Sequence, residues 1–299
     1  MSMEKRREDN IGAVGKNPKR KFRILVRGAG DLATGTIHRL VRAGFQPLVL
    51  ETEHPAAIRR HVAFSECIYD GCAVVEGVKA KRVESLSEAE AWLYSSAASH
   101  EEAANSVPVL VDPEGNCIRK FQPEVLIDAI LAKRNLGTER GMAPLTIALG
   151  PGFTAGKDVD YVIETMRGHT LGRIYEKGEA LPNTGIPGIV GGVGKERVMH
   201  APAEGILRNV HHITDIVEQG ERIAYIECPD REEIPVSASI SGLIRGLLRD
   251  GYPVTKGFKI ADIDPRLDQY ENCFTISDKA RCIAGSVLEL VTAEFIRKL

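Results

Sequence analysis

Residues 22–35 read Phe-Arg-Ile-Leu-Val-Arg-Gly-Ala-Gly-Asp-Leu-Ala-Thr-Gly. The apolar run Phe22 to Val26 breaks at once into glycines, then resumes at helical spacing through Ile37, Leu40 and Val41. Run, turn and stripe predict a strand, a tight loop and a helix. Gly44 ends that helix, Gln46 to Leu50 supplies a second strand, and the acidic Glu51 stands at its end. This is the opening βαβ of a doubly wound sheet.

Working outward, Ala73–Val75, Val107–Val111, Val125–Ile127 and Leu145–Leu149 are mostly unalternating apolar runs. Strands of that kind are covered on both faces, which points to a parallel sheet. The Ala- and Glu-rich stretch Ser85 to Asn105 carries Leu86, Ala89, Trp92 and Leu93 on one stripe and reads as a helix, with Trp92 in the core. A C-terminal helix is expected over Ser277 to Lys298, with Ile283, Val287, Leu290, Val291 and Phe295 forming its apolar face.

After residue 195 the texture changes. Residues 201–226 laid on 238–263 match at eight of 26 positions, among them Gly205/Gly242, Arg208/Arg245 and Gly220/Gly257. Chance gives roughly one or two matches, because even common residues run near ~7% each, so the segment is an internal duplication. Its repeated glycine and isoleucine pattern resembles the barrel-sandwich hybrid of biotinyl and lipoyl carrier domains. The stretch between the halves, Glu227 to Ser237, holds no lysine, so no covalent biotin or lipoate is expected. The expected fold is therefore a Rossmann-like, mostly parallel α/β domain over 21–195, a small all-β barrel-sandwich-hybrid module over 196–266 and a helical segment over 267–299. Residues 1–20, poor in apolar periodicity, read as a flexible tail.

Composition narrows the functional classes. In 299 residues, 43% hydrophobic and 27% charged, 39 basic side chains face 41 acidic ones. That balance implies no general polyanion surface, so nucleic acid is not an expected partner. No run approaches the ~20 apolar residues of a membrane span, and the first twenty lack a signal-peptide core. Six scattered cysteines form no CxxC pair, so reduced thiols, no structural metal and a cytoplasmic location are expected.

The motif Gly28-Ala29-Gly30-Asp31-Leu32-Ala33 is a G-x-G-x-x-A fingerprint between a strand and a helix. Gly28 permits the turn, Gly30 lets the backbone approach a phosphate, and the helix amides supply donors. Glu51 is placed to accept from a ribose. A second glycine loop, Gly150-Pro151-Gly152-Phe153, follows the Leu145–Leu149 strand and faces the first across a ligand if both lie at the crevice. Gly152 to Gly156 is one residue too short for a Walker A loop, and Asp158 stands where a magnesium-ligating hydroxyl belongs. Both glycine loops also fit tight turns with no ligand. The weaker candidates for chemistry are Arg167 and His169, for anion binding and proton transfer, and Asp128 and Lys133 after the Val125–Ile127 strand. A satisfied structural cluster is the other reading of Arg167 and His169, and an ordinary surface pair is the stronger reading of Asp128 and Lys133.

Taken together, RGAGDLATG (27–35), IALGPGF (147–153), ETMRGHTLGR (164–173), NTGIPGIVGG (183–192), DIDPR (262–266) and ISDKA (276–280) mark a resemblance. From Arg23 to Leu290 the chain is similar to the YqeB-type accessory proteins of selenium-dependent molybdenum hydroxylase systems, and distantly to the XdhC/CoxI maturation proteins. The resemblance implies a maturation factor for xanthine dehydrogenase-type hydroxylases, with a molybdenum hydroxylase as client and a nucleotide, NAD(P)-like, or a molybdopterin-type molecule as ligand. It assigns no catalytic residue. The alternatives are an NAD(P)-dependent oxidoreductase using the same crevice and a non-catalytic interaction module; a homo-oligomer is compatible with each.

Overall fold

The computed structural model describes residues 22–94, 105–185, 188–228 and 232–299. The tail expected over 1–20, the second half of the helix expected over 85–105 and the middle of the Glu227–Ser237 hairpin lie outside them.

The opening motif folds as its sequence dictates. β1 (Ile24–Arg27) is buried throughout, and α1 (Asp31–Arg42) turns Ala33, Ile37, Leu40 and Val41 inward. β2 (Pro47–Glu51) then lies parallel beside β1, as a right-twisted strand followed by a short helix requires.

Around this unit grows a nine-stranded sheet in the order β10-β9-β7-β6-β1-β2-β5-β4-β3. Its members are β3 (Cys72–Val75), β4 (Val78–Val83), β5 (Ser106–Val111), β6 (Val125–Asp128), β7 (Leu145–Leu149), β9 (Tyr161–Ile163) and β10 (Ile174–Tyr175). The inner strands run parallel, while β3 and β10 close the two edges antiparallel. The segments joining β6 to β7 and β7 to β9 carry no α-helix; the second holds the two-residue β8 (Thr154–Ala155), which pairs with β11 (Gly178–Glu179). One face is covered by α1 and by the C-terminal helix, here α5 (Asp278–Arg297), whose Ala280, Ile283, Val287 and Val291 share a core with Ile37 and Leu40. The other face is covered by α3 (Leu86–Tyr94) and Phe121, part of the one-turn α4 (Ile118–Phe121). Another single turn, α2 (Cys67–Asp70), precedes β3.

Residues 198–264 form two four-stranded antiparallel sheets around one core that includes Leu207, Ile226, Leu243, Ile244 and Ile263. Their strands are β12 (Val198–His200), β13 (Gly205–Asn209), β14 (Ile216–Val217), β15 (Arg222–Glu227), β16 (Glu233–Ser237), β17 (Gly242–Leu247), β18 (Pro253–Val254) and β19 (Lys259–Asp264). The duplication is visible in space. One sheet orders β12-β19-β17-β14 and the other β16-β15-β13-β18, so each takes its inner pair from one repeat, one edge from the other repeat and its second edge from the strand just before that other repeat. Gly205 and Gly242 begin equivalent strands for one reason: a Cβ at either would lie 2.4 Å from a carbonyl oxygen, that of Glu227 or of Asp264.

The expected fold class needs correction. The first sheet is mixed, reversed at both edges and without α-helices over two of its crossovers, so it is not a Rossmann-like domain. The remainder is a pair of separate antiparallel sheets, and the barrel-sandwich-hybrid assignment by analogy with biotinyl and lipoyl carriers is withdrawn. The parts are also interleaved in space. α5 returns across the β module to pack on α1, so closely that a Cβ on Gly35 would lie 2.7 Å from that of Ala280. Periodicity reveals an apolar stripe on a helix; it does not reveal which surface the stripe covers. Among the described residues, no helix is long and apolar enough to cross a membrane.

Candidate functional site

The parallel strands deliver their following loops to one edge of the sheet. The first glycine loop is built largely by its own protein. Gly28 has φ +96°, donates to the Leu50 carbonyl at 2.7 Å, and has no room for a Cβ, which would sit 2.8 Å from the Ala129 oxygen. The Ala29 amide donates to Glu51 Oε2 at 2.7 Å, and the Thr52 amide donates to Oε1 at 2.7 Å. Burial pushes the Glu51 carboxyl above its ordinary value, with those two amides opposing the shift. Glu51 thus ties β2 to the loop with both of its oxygens. Gly30 is different: a Cβ there meets nothing within 4 Å, and the amides of Gly30, Asp31 and Leu32 at the head of α1 have no partner among the described residues. Leu32 packs at the margin of the main core.

The second glycine loop meets the chain itself. At Gly152 (φ +109°) a Cβ would lie 2.6 Å from the backbone of Arg134, and at Gly150 (φ +83°) 2.6 Å from Thr165 Oγ1. Residues 129–134 therefore run between Gly28 on one side and Gly152 on the other. Within that segment Leu131 and Lys133 hold φ of 61° and 63°, a left-handed backbone costly for residues with a side chain. Phe153 is buried with Ala148, Val159 and Val162.

Asp128 is also committed to structure. It accepts from Thr138 Oγ1 at 2.6 Å, and the same hydroxyl accepts from Arg27 at 2.7 Å. Burial pushes the Asp128 carboxyl up. Arg167 makes a two-pronged pair with Asp278 at 2.7 and 2.8 Å, and this bond holds Asp278 down at about 2. His169 is exposed on the rim of a shallow cavity of about 370 Å³ formed by His169–Arg173.

The β module docks on this same edge. Leu247 N–H donates to the Ile58 carbonyl, Arg60 Nε donates back to the Leu247 carbonyl, and Arg249 pairs with Glu66 at 3.0 Å and also with Asp70. Along the junction almost every carboxylate is claimed. Arg197 and Arg245 share Asp262, while Arg245 and Arg266 share Asp264. Arg59 takes Asp31 Oδ2 at 2.9 Å and the carbonyls of Asn272 and Thr275. Glu164 is filled by the amides of Thr165, Met166 and Leu181.

Two lysines are left over. The side chains of Lys259 on β19 and Lys279 in the first turn of α5 make no hydrogen bond or ion pair among the described residues. Burial lowers the pKa of both ammonium groups, and Lys279 also feels the positive charge of Lys259. Lys259 also feels Arg197, Arg245 and Lys133, with Asp262 opposing; Lys279 also feels Arg167, with Asp31 and Glu164 opposing. Lys259 is exposed, whereas Lys279 is half-buried. The structure thus gathers Asp31, Lys133 and Arg167 at one junction and spends Glu51, Asp128 and Phe153 on packing. Sequence reasoning overlooked Lys259, Lys279 and Arg59; the ISDKA string contains Lys279, but no motif marked Lys259 or Arg59. Among the described residues, no group of three or more His, Cys, Asp or Glu could hold a metal.

No family model matches the chain. Among solved structures it is similar to an aspartoacylase family protein from Mesorhizobium loti (13% identity, 47% of this chain and 62% of that one, TM-score 0.22). It is also similar to the product-bound ectoine utilization protein EutE (DoeB) from Ruegeria pomeroyi (11%, 81% and 84%, 0.25) and to a succinylglutamate desuccinylase/aspartoacylase from Rhodobacter sphaeroides (12%, 82% and 85%, 0.25). None of these is a protein of molybdenum hydroxylase maturation or an NAD(P)-binding Rossmann protein. The expected role as a maturation factor, its NAD(P)-dependent oxidoreductase and interaction-module alternatives, and the associated molybdenum-cofactor and NAD(P) labels are withdrawn. At such TM-scores the likenesses give this chain no activity of their own. In sequence, 266 residues are 46% identical to the Escherichia coli K12 protein described as uncharacterized protein YqeB, covering 89% of this chain and 46% of that protein. The chain therefore spans less than half the length of its curated relative, and across nine-tenths of its own length it is a homologue of YqeB.

Proposed function

We propose that this chain binds an anionic small molecule at the junction between the carboxyl edge of the nine-stranded sheet and the β module. The observation that carries this reading is the pair Lys259, exposed, and Lys279, half-buried, whose ammonium groups have no hydrogen bond or ion pair among the described residues. Partly withdrawing the Lys279 charge from water without a partner is costly, so an incoming anion recovers free energy there. The free amides at the head of α1, beside Asp31, add hydrogen-bond donors and the positive end of the helix dipole. A nucleotide or a molybdopterin-type molecule carries a phosphate that meets this requirement, and so does a small carboxylate. Free thiols at all six cysteines suit the cytoplasm as the place of binding.

Calorimetric titration of the intact chain with pyrophosphate, ADP and citrate tests the reading. At least one should bind. Lys259→Met and Lys279→Met should each weaken it by about tenfold or more, as loss of a charge-assisted contact of roughly 1.5–3 kcal/mol implies. Gly30→Arg, which enters open space, should block binding while leaving the melting temperature unchanged. Failure of all three anions to bind, or binding indifferent to both lysines, overturns it.

A further inference from the structure

We infer that the anion bound at the junction carries a flat heteroaromatic ring, as a nucleotide does, and that this ring stacks on the group His61, Phe274 and Tyr270, a deepening of the site that rests on the anion-binding reading. His61 and Phe274 lie face to face, with ring centroids 4.8 Å apart and planes 7° from parallel, and Tyr270 leans on Phe274 at 5.5 Å. His61 is exposed despite that stack, Tyr270 is 50% exposed and Phe274 37%. Single apolar side chains at a surface are ordinary, whereas three rings in contact and open to solvent form a patch that asks for a partner. A π-surface offered in this way suits a further flat ring.

The rings are held beside the open head of α1. Arg59 makes the connection: its guanidinium takes Asp31, the first residue of α1, at 2.9 Å, and the carbonyls of Asn272 and Thr275, which bracket Phe274, at 3.0 and 3.1 Å. One side chain thus spans from the helix head to the aromatic turn, and His61 follows it by two residues. The Arg59 side chain is nine-tenths buried, and its Nε has no hydrogen-bond partner among the described residues. Ser65, buried and bonded through its amide to the Ala29 carbonyl of the glycine loop at 2.8 Å, likewise has an unpartnered hydroxyl. Beneath the rings, Cys273 is buried in the core of the β module, and the Ile58 carbonyl and Arg60 are both bonded to Leu247. Both sides of the stack are therefore anchored.

The two helix heads at this place differ. α1 and α5 run the same way: Gly35 meets Ala280 near their starts, and Phe45 meets Phe295 near their ends with ring centroids 5.6 Å apart. Their positive ends lie together. α5 is capped by Ser277 Oγ, which accepts from the Ala280 amide, whereas α1 has no side-chain cap. A phosphate at the open head of α1 and a base on the rings place the two ends of one mononucleotide on either side of Arg59. A ring-free anion uses the first half of this arrangement alone.

The test compares AMP with ribose 5-phosphate, which lacks the adenine base, by calorimetric titration of the full chain, with pyrophosphate and citrate as ring-free controls. AMP should bind about tenfold or more tightly than ribose 5-phosphate, the scale of one base stacked on an aromatic side chain. His61→Ala and Tyr270→Ala, both at exposed positions, should each remove most of that advantage and leave the affinity for pyrophosphate unchanged. Circular dichroism and melting temperature confirm that both variants are folded. Binding of pyrophosphate or citrate with no advantage of AMP over ribose 5-phosphate overturns the stacked ring and leaves the anion site standing. An advantage that survives both variants, or variants that weaken pyrophosphate as much as AMP, also overturns the stacked ring. Failure of AMP, pyrophosphate and citrate alike to bind overturns both readings.

Discussion

Glu51 receives the amide of Ala29 on one carboxylate oxygen, at 2.7 Å, and the amide of Thr52 on the other. The acid at the end of β2, which by position alone looks poised for a ligand's sugar, is thereby a strut of the first glycine loop. Replacing it with alanine strands two amides and should cost roughly 1–3 kcal/mol in urea denaturation. The sign with pH follows from burial, which raises the folded pKa. The stabilising contribution is complete below the ordinary glutamate range and fades as pH rises through the raised value. The difference between native and Glu51→Ala protein should accordingly shrink on going from acid to neutral pH. Glu66 and Asp128 shift in the same direction but cancel in that difference.

Gly28 and Gly30 belong to one fingerprint and should behave oppositely. Gly28→Ala places a Cβ against the Ala129 carbonyl at a φ of +96°, strain of order 1–3 kcal/mol before any clash is relieved. Gly30→Ala meets open space at a φ of −67° and should be close to neutral. Thermal melts of the two variants measure this contrast; equal losses would refute it.

Removing the unpaired cations should not harm the fold. Lys279 is half-buried and Lys259 exposed, and neither ammonium group has an ion-pair partner among the described residues, so Lys259→Met with Lys279→Met is expected to melt close to the native temperature. Because the folded pKa of each is lowered, native stability should rise as pH climbs from that lowered value to the ordinary lysine range, and the double variant should lack this rise. A hundredfold excess of a bound anion over its Kd should stabilise native protein by about 2.7 kcal/mol and leave the double variant unmoved.

The pseudo-symmetry of the β module makes a paired forecast. Gly205→Ala and Gly242→Ala meet the same obstacle, a carbonyl oxygen 2.4 Å away, on equivalent strands. Each should destabilise by a similar amount, about 1–3 kcal/mol, and circular dichroism should report loss of module structure in both. A marked inequality would mean that the two repeats no longer carry equal shares of the core.

Much of the local structure was written in the chain. The run Phe22 to Val26 with the stripe at Ile37, Leu40 and Val41 specified β1 and α1, because alternation between apolar run and helical period depends only on neighbouring residues. The offset of 37 residues specified two equivalent halves, and their strands occupy equivalent places. Sheet order, edge direction and the partner of α5 were not legible, because these depend on contacts between residues far apart in sequence. Nothing local in Cys72–Val75 or Ile174–Tyr175 distinguishes an antiparallel edge from a further parallel strand.

The division is sharpest at the candidate site. Sequence alone determined where glycines interrupt the strands and hence where loops gather at one edge of the sheet. Tertiary structure alone decided that residues 129–134 pass between Gly28 and Gly152, and that the ammonium groups of Lys259 and Lys279 are left without an ion-pair partner among the described residues. The reason is that a carboxylate's allegiance is set by distance. Asp262 and Asp264 go to the arginines that reach them first, and which lysines remain unpaired is known only once every such contact has been made.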